Sequence, residues 1–172
     1  MINFLWLDCE MTGLDYQRDH ILEIACILTN CQMIPLAEYH AVIHHNDGIL
    51  NTMNEWCQST HSSSGLINAV KKSNLNYTDV QLAIMRLLKT HSIPQNIYIA
   101  GNSVYNDLYF IKKYMPEIAD FLHYRIFDIT AFKILAMTKK ISPFAKKNQH
   151  TAFDDIKESI AEYQYYQKIL FK

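Results

Sequence analysis

Asp8 and Glu10 stand two residues apart at the end of an apolar N-terminal run, Phe4-Leu5-Trp6-Leu7-Asp8-Cys9-Glu10. Read as a strand, the run sends alternate side chains to opposite faces, so both carboxylates face the same side. Two adjacent anions repel each other unless a cation sits between them. A hard divalent ion such as Mg²⁺ or Mn²⁺ takes such oxygen ligands. Asp107 follows a short apolar run ending at Ala100, and Asp154-Asp155 opens the C-terminal helical segment just after His150. In α/β sheets, sites gather at strand ends and at the helix starts beside them. Three chain-distant acidic elements and a histidine can thus converge on one metal site. Each also has a plainer use: a solvated carboxylate, a turn cap, or a helix N-terminal acid favoured by the dipole.

The elements that must position these groups are read from hydrophobic periodicity. Residues 4–9, 21–29 and 36–44 are apolar and β-branched, separated by turn-like stretches, and predict an antiparallel N-terminal meander. A polar loop follows at 45–51. Thr78-Asp79-Val80-Gln81 fits a capping box with Thr78 as N-cap and Gln81 at N3, ahead of Val80, Ala83, Ile84, Leu87 and Leu88 at helical spacing. A buried strand at 97–100, a helix at 107–114, a short one from Pro116, a strand at 125–127 and a helix from Thr130 come next. The stretch 139–149 reads as a loop, and a last helix begins near Thr151 with Ile156, Ile160, Tyr163 and Leu170 on one stripe. Strands first, then alternating helices and strands, predict one α/β domain over 1–172 on a mixed central sheet flanked by helices.

Composition narrows the function. The 172 residues carry 16 Lys+Arg against 17 Asp+Glu, and only 4 Gly and 4 Pro, so collagenous and disordered classes are excluded. Neither GxGxxG nor a Walker-type GxxxxGK[ST] occurs. A net charge of -1 argues against gripping long nucleic acid and leaves a short substrate open. Cys9, Cys26, Cys31 and Cys57 contain no CxxC pair and read as reduced thiols. With no signal-peptide pattern and no long apolar run, a soluble cytoplasmic protein is expected.

Six ordered segments carry a resemblance. Trp6-Leu7-Asp8-Cys9-Glu10-Met11-Thr12-Gly13-Leu14-Asp15, Gly101-Asn102-Ser103 with Asp107, and His150-Thr151-Ala152-Phe153-Asp154-Asp155 resemble the three exonuclease motifs of the oligoribonuclease family. That family belongs to the DEDDh 3′-to-5′ exonucleases. Asn54-Glu55-Trp56, Thr60-His61-Ser62-Ser63-Ser64-Gly65-Leu66 and His123-Tyr124-Arg125 fit between them, so the resemblance covers nearly the whole chain.

The resemblance implies an RNase H-like exonuclease domain in which Asp8, Glu10, Asp107 and Asp155 bind two Mg²⁺ or Mn²⁺ ions and His150 is the general base. Spacing alone would pair His150 with Asp154, four residues on; the family motif selects Asp155. It further implies that Leu14 and Trp56 sandwich the bases of a very short substrate. Ser103, His61, Arg125 and Thr130 would cap the 5′-phosphate, and Tyr124 would be contributed across a homodimer. The implied activity is 3′-to-5′ hydrolysis of short RNA oligonucleotides, chiefly dinucleotides, to 5′-mononucleotides, with no membrane or long-DNA partner. A longer-substrate exonuclease for RNA or single-stranded DNA and a non-catalytic nucleotide-binding module are the competing readings.

Three places depart from the family pattern. Val104-Tyr105-Asn106 is bulkier than the family segment before Asp107, Cys9 replaces an aliphatic residue, and the 139–149 loop is a few residues shorter. Facing away from the acids, Cys9 reads as core. Trp56 has an ordinary core aromatic as its plainer use, and Tyr163, Tyr165 and Tyr166, at helical spacing, read as packing. His20, His40, His44, His45, His91 and His123 lack a metal-ligand pattern and read as surface or hydrogen-bonded residues.

Overall fold

A five-stranded mixed sheet is built around β1 (Asn3–Met11). On one side β1 pairs antiparallel with β2 (Ile21–Asn30), which pairs antiparallel with β3 (Pro35–Val42). On the other, β1 runs parallel to β4 (Ile97–Gly101), and β4 parallel to β5 (Ile126–Asp128), giving the order β3-β2-β1-β4-β5. The computed structural model describes residues 2–145 and 152–171.

Alternation along β1 accounts for the layers. Leu5, Leu7 and Cys9 enter one core with Ile24, Cys26 and Leu28 of β2. That core is covered by α4 (Tyr77–His91), α5 (Tyr105–Tyr114) and α6 (Pro116–Phe121) through Val80, Ile84, Leu88, Phe110, Ile111 and Ile118. Trp6 faces the other way with Ala25 and Ile27, against α7 (Thr130–Thr138) and α8 (Ala152–Leu170). A central strand buried on both faces reads as a continuous apolar run, as 4–9 does. Asp8 and Glu10 share the Trp6 face, toward α8.

Three short helices lie between β3 and α4. The expected loop at 45–51 contains a single turn, α1 (Asp47–Leu50), because Asn46 caps it by accepting from the Ile49 N–H. Next come α2 (Glu55–Ser63), capped by Asn54, and α3 (Leu66–Lys72), which the periodicity had not revealed. The capping box also sits elsewhere. Asn76, not Thr78, is the N-cap of α4; it accepts from the Thr78 and Asp79 N–H groups while Asp79 accepts from the Asn76 N–H. Asn caps at least as well as Thr, so the helix starts earlier. Gln81 instead joins α4 to α6, donating to the Glu117 carboxylate and accepting the Glu117 N–H.

Beyond β4 the chain turns sharply. A Cβ on Gly101 would meet the Leu7 carbonyl oxygen at 3.0 Å, so the close approach of β4 to β1 needs glycine there. Ser103 adopts φ 51, held by donating its N–H to Asp128 Oδ1 and Thr130 Oγ1, both at 3.1 Å. Asn102 Nδ2 donates to Ser159 Oγ (2.9 Å) and Glu162 Oε2 (3.0 Å), fastening this turn to α8.

Trp6 is fully buried, packs edge-on against Phe127 and donates its indole N–H to Thr29 Oγ1 at 3.0 Å. Trp6→Ala is expected to cost about 3–5 kcal/mol in urea unfolding; a cost below about 1 kcal/mol would contradict its place in the core.

Candidate active site

The strand puts Asp8 and Glu10 on one face, and the first turn of α8 brings Asp155 to them. One oxygen from each of the three carboxylates lies within 4.8 Å of the others. Of the two adjacent acids in α8, Asp155 rather than Asp154 joins this group. Asp107 arrives from the first turn of α5, buried, and its Oδ1 accepts the Cys9 backbone N–H at 2.9 Å. One peptide group between Asp8 and Glu10 thus fixes the fourth acid.

This concentration of anions shifts their protonation. Burial, then Asp107, Glu10, Asp155 and Glu23, pushes Asp8 up to about 8. Burial, then Glu23 and Asp155, pushes Glu10 up to about 7. Burial also raises Asp107 to about 7 against the opposing hydrogen bond from Cys9. A set of hard oxygen donors that repel each other and retain protons is the electrostatic form of a divalent-cation site.

Glu23 is a fifth acid that sequence reasoning missed. It sits directly opposite Glu10 in the β1–β2 ladder and pairs with His40 of β3. The available signal was a lone charge in the otherwise apolar 21–29 run. His45 is hydrogen-bonded to the Ile21 carbonyl, as read from the sequence, whereas His20 packs against His45 and Tyr114 with its buried Nδ1 unpartnered among the described residues. Tyr163 and Tyr166 belong to the α8 core, also as read from the sequence.

Beside Glu10, a cleft of about 380 Å³ is lined by Met11, Gly13, Leu14, Asn54, Trp56 and His61. It adjoins one of about 590 Å³ that reaches Glu23 and His40. Leu14 and Trp56 are 74% and 71% exposed, which removes the core-aromatic alternative for Trp56. Buried Asp19 holds the loop that carries Leu14, accepting from the Thr12 hydroxyl and the Asp15 N–H; a Cβ on Gly13 would collide with it at 2.3 Å. Helix α2 presents both Trp56 and His61. His61 is buried, donates Nε2–H to the Met11 carbonyl at 3.0 Å and places Nδ1 4.0 Å from Glu10 Oε2.

The expected phosphate-contacting residues fall into separate places. His61 lies with Leu14 and Trp56, whereas Ser103 and Thr130 meet at the β4 and β5 ends, their hydroxyls 3.3 Å apart. Tyr124 and Arg125 precede β5, at the opposite end of that strand from Asp128, which braces Ser103. There the Arg125 guanidinium lies 4.5 Å from the centre of the exposed Tyr124 ring. His150 falls outside the described residues.

Comparison with known proteins places this geometry. The family model described as "Exonuclease" matches residues 5–163. An oligoribonuclease of Haemophilus influenzae (strain PittGG) is 43% identical over 174 residues, covering 99% of this chain and 96% of that protein. An oligoribonuclease of Pasteurella multocida is 44% identical over 171 residues, covering 96% and 92% respectively. Among solved structures, exonuclease I from Methylocaldum szegediense superposes with a TM-score of 0.73 at 16% identity, over 100% of this chain and 42% of that one. E. coli exonuclease I in complex with a dT13 oligonucleotide gives 0.72 at 16% identity, over 99% and 43%. At that identity the structural likeness speaks for the fold, while the two oligoribonucleases match over more than nine-tenths of both chains. The chain belongs to the exonuclease family and, within it, to the oligoribonucleases, which makes it a 3′-to-5′ exoribonuclease.

Proposed function

We propose that this exoribonuclease acts on very short RNA, chiefly dinucleotides, and releases 5′-mononucleotides. The observation that carries the reading is the convergence of Asp8, Glu10 and Asp155 within 4.8 Å beside the exposed Leu14–Trp56 pair. The four acids would hold two Mg²⁺ or Mn²⁺ ions, and the oxygen-only donor set with raised proton affinities fits them. Divalent ions in such a site supply charge stabilisation for the phosphodiester and ease the ionisation of water.

The chain's own groups do the rest. Asp107 is locked to β1 through the Cys9 N–H, so its carboxylate keeps a set orientation. His150 accepts the proton of the attacking water, a task suited to an imidazole near neutral pH. Leu14 and Trp56 grip the bases by stacking, which tolerates any sequence. Ser103 and Thr130 offer hydroxyls to the 5′-phosphate, and Arg125 offers a planar fork for bidentate binding. His61 contributes from the base side of the pocket. A pocket that closes on both substrate ends cannot thread a long strand, which favours dinucleotides.

The unit of activity is a homodimer to which Tyr124 is contributed in trans. Support comes from the edge position of β5 and the exposed apolar residues beside it: Ile126, Ile134, Leu135 and Met137. The enzyme works in the cytoplasm, in keeping with four cysteines that are all free thiols.

Three outcomes are expected. In initial-rate assays on 5′-labelled di-, tri- and heptaribonucleotides and on long RNA and single-stranded DNA, the dinucleotide is turned over fastest; equal rates at every length would defeat the length preference. Asp107→Asn lowers kcat by about 100-fold or more, and chelation abolishes turnover; activity surviving either change would exclude the metal-dependent mechanism. Without metal, the folded protein keeps protons on Asp8, Glu10 and Asp107 that the unfolded chain loses near their ordinary values of 3.8 to 4.5. The folded state then binds more protons, so its stability falls as pH rises toward 8. Mg²⁺ or Mn²⁺ should therefore raise the Tm more at about pH 8.5 than at about pH 5.5. A metal-induced shift that is the same at both values would contradict this linkage.

A further inference from the structure

Glu23 has no place in the acid quartet, yet the sheet sets it at the quartet's edge. In the antiparallel β1–β2 ladder it lies directly opposite Glu10, while Asp8 and His40 lie on either side of Ala25. Directly opposed residues share a face of the sheet, with Cβ atoms about 4.5–5.5 Å apart. Asp8, Glu10, Glu23, Ala25 and His40 therefore form one patch on the side that faces α8. Like charges in such a pair repel each other. With its side chain only 15% exposed, Glu23 has little water to screen it.

His40 decides where the Glu23 carboxylate goes. Its Nε2 lies 2.5 Å from Glu23 Oε1, which draws that group away from β1 toward β3. The His40 ring packs edge-on against Phe153, with ring centres 6.0 Å apart. Phe153 belongs to the first turn of α8, two residues before Asp155. The brace on Glu23 is thus itself seated against the helix that carries an acid of the cluster.

Glu10, Glu23 and His40 line the same cleft of about 590 Å³, so the two carboxylates face a shared open space. That space gives Glu10 room to swing away from Asp8 and Asp155, as repulsion would favour. It does not: one oxygen from each of the three lies within 4.8 Å of the others. The group that stands on the open side is Glu23. Burial does most to raise the proton affinity of Glu10, and among charges Glu23 does more than Asp155. We propose that Glu23, braced by His40, is a positioning residue of the metal site: its charge closes the open side of Glu10 and turns that carboxylate toward Asp8 and Asp155. The inference rests on the metal-dependent reading and gives Glu23 an action through Glu10, with no contact to an ion.

Two measurements without RNA test it: titration calorimetry of Mn²⁺ into the folded protein, and the Tm of the metal-free protein. Both are made at about pH 8.5, where the cluster is largely ionised. Glu23→Gln should weaken Mn²⁺ binding on the order of tenfold. By removing a like-charge pair, it should also raise the metal-free Tm by about 1–3 °C. Glu23→Asp, which keeps the charge, should retain most of the affinity. His40→Phe keeps a ring against Phe153 but cannot hold the carboxylate. It should weaken Mn²⁺ binding in the parent and change nothing in the Glu23→Gln background. An unchanged Kd in Glu23→Gln would overturn the proposal. So would a fall in affinity and Tm together, which marks a merely structural residue, or losses from the Glu23 and His40 variants that simply add. A parent that binds no Mn²⁺ would instead defeat the metal-dependent reading itself, and this proposal with it.

Discussion

Four carboxylates held together against their own repulsion are the constraint around which this molecule is organised. Left to themselves, Asp8, Glu10, Asp107 and Asp155 would separate or stay solvated. The sheet denies them that freedom. Asp8 and Glu10 are fixed by a strand with neighbours on both sides, Asp107 by a main-chain hydrogen bond to that strand, and Asp155 by a helix packed on the Trp6 face. Apolar burial on the two faces stabilises the fold that imposes this crowding. The electrostatic cost appears in the raised proton affinities of Asp8, Glu10 and Asp107.

Support for the cluster extends outward in a second ring of polar contacts. Asn102 ties the β4 turn to Ser159 and Glu162 of the same helix that carries Asp155. Asp19 holds the Leu14 loop, while Glu23, paired with His40, adds another negative charge across the ladder from Glu10. His61 links the two regions, because one ring nitrogen is committed to the Met11 carbonyl while the other faces Glu10. None of these groups belongs to the acid quartet, yet each limits how far a member or its neighbouring loop can move.

How much of this was legible in the sequence depends on whether the signal was local. The acid pair of β1 follows from strand alternation alone, and the meander and the helical stripe of α8 follow from periodicity. The choice of Asp155 over Asp154 did not, since helical spacing favoured the other; it came from the motif. The short helices were missed because α2 is mostly polar and α3 spans only seven residues, although Asn54 offered a capping signal. The start of α4 was displaced because Asn76 and Asp79 form the same reciprocal cap as the expected Thr78 and Gln81. Glu23 left one local trace, a charge in an apolar run, but its place opposite Glu10 comes from strand register, which leaves no periodic signal.

The topology also sets when the protein can acquire its activity. β1 is made before its partner β4, with two strands and four helices between them, and Asp155 lies on α8, later still in the chain. Translation is slow compared with the formation of local structure, so the N-terminal meander can assemble well before α8 exists. During that interval a ribosome-bound chain carries Asp8 and Glu10 without the acid that closes the cluster. The cluster of Asp8, Glu10 and Asp155 is therefore completed only when α8 docks on the sheet.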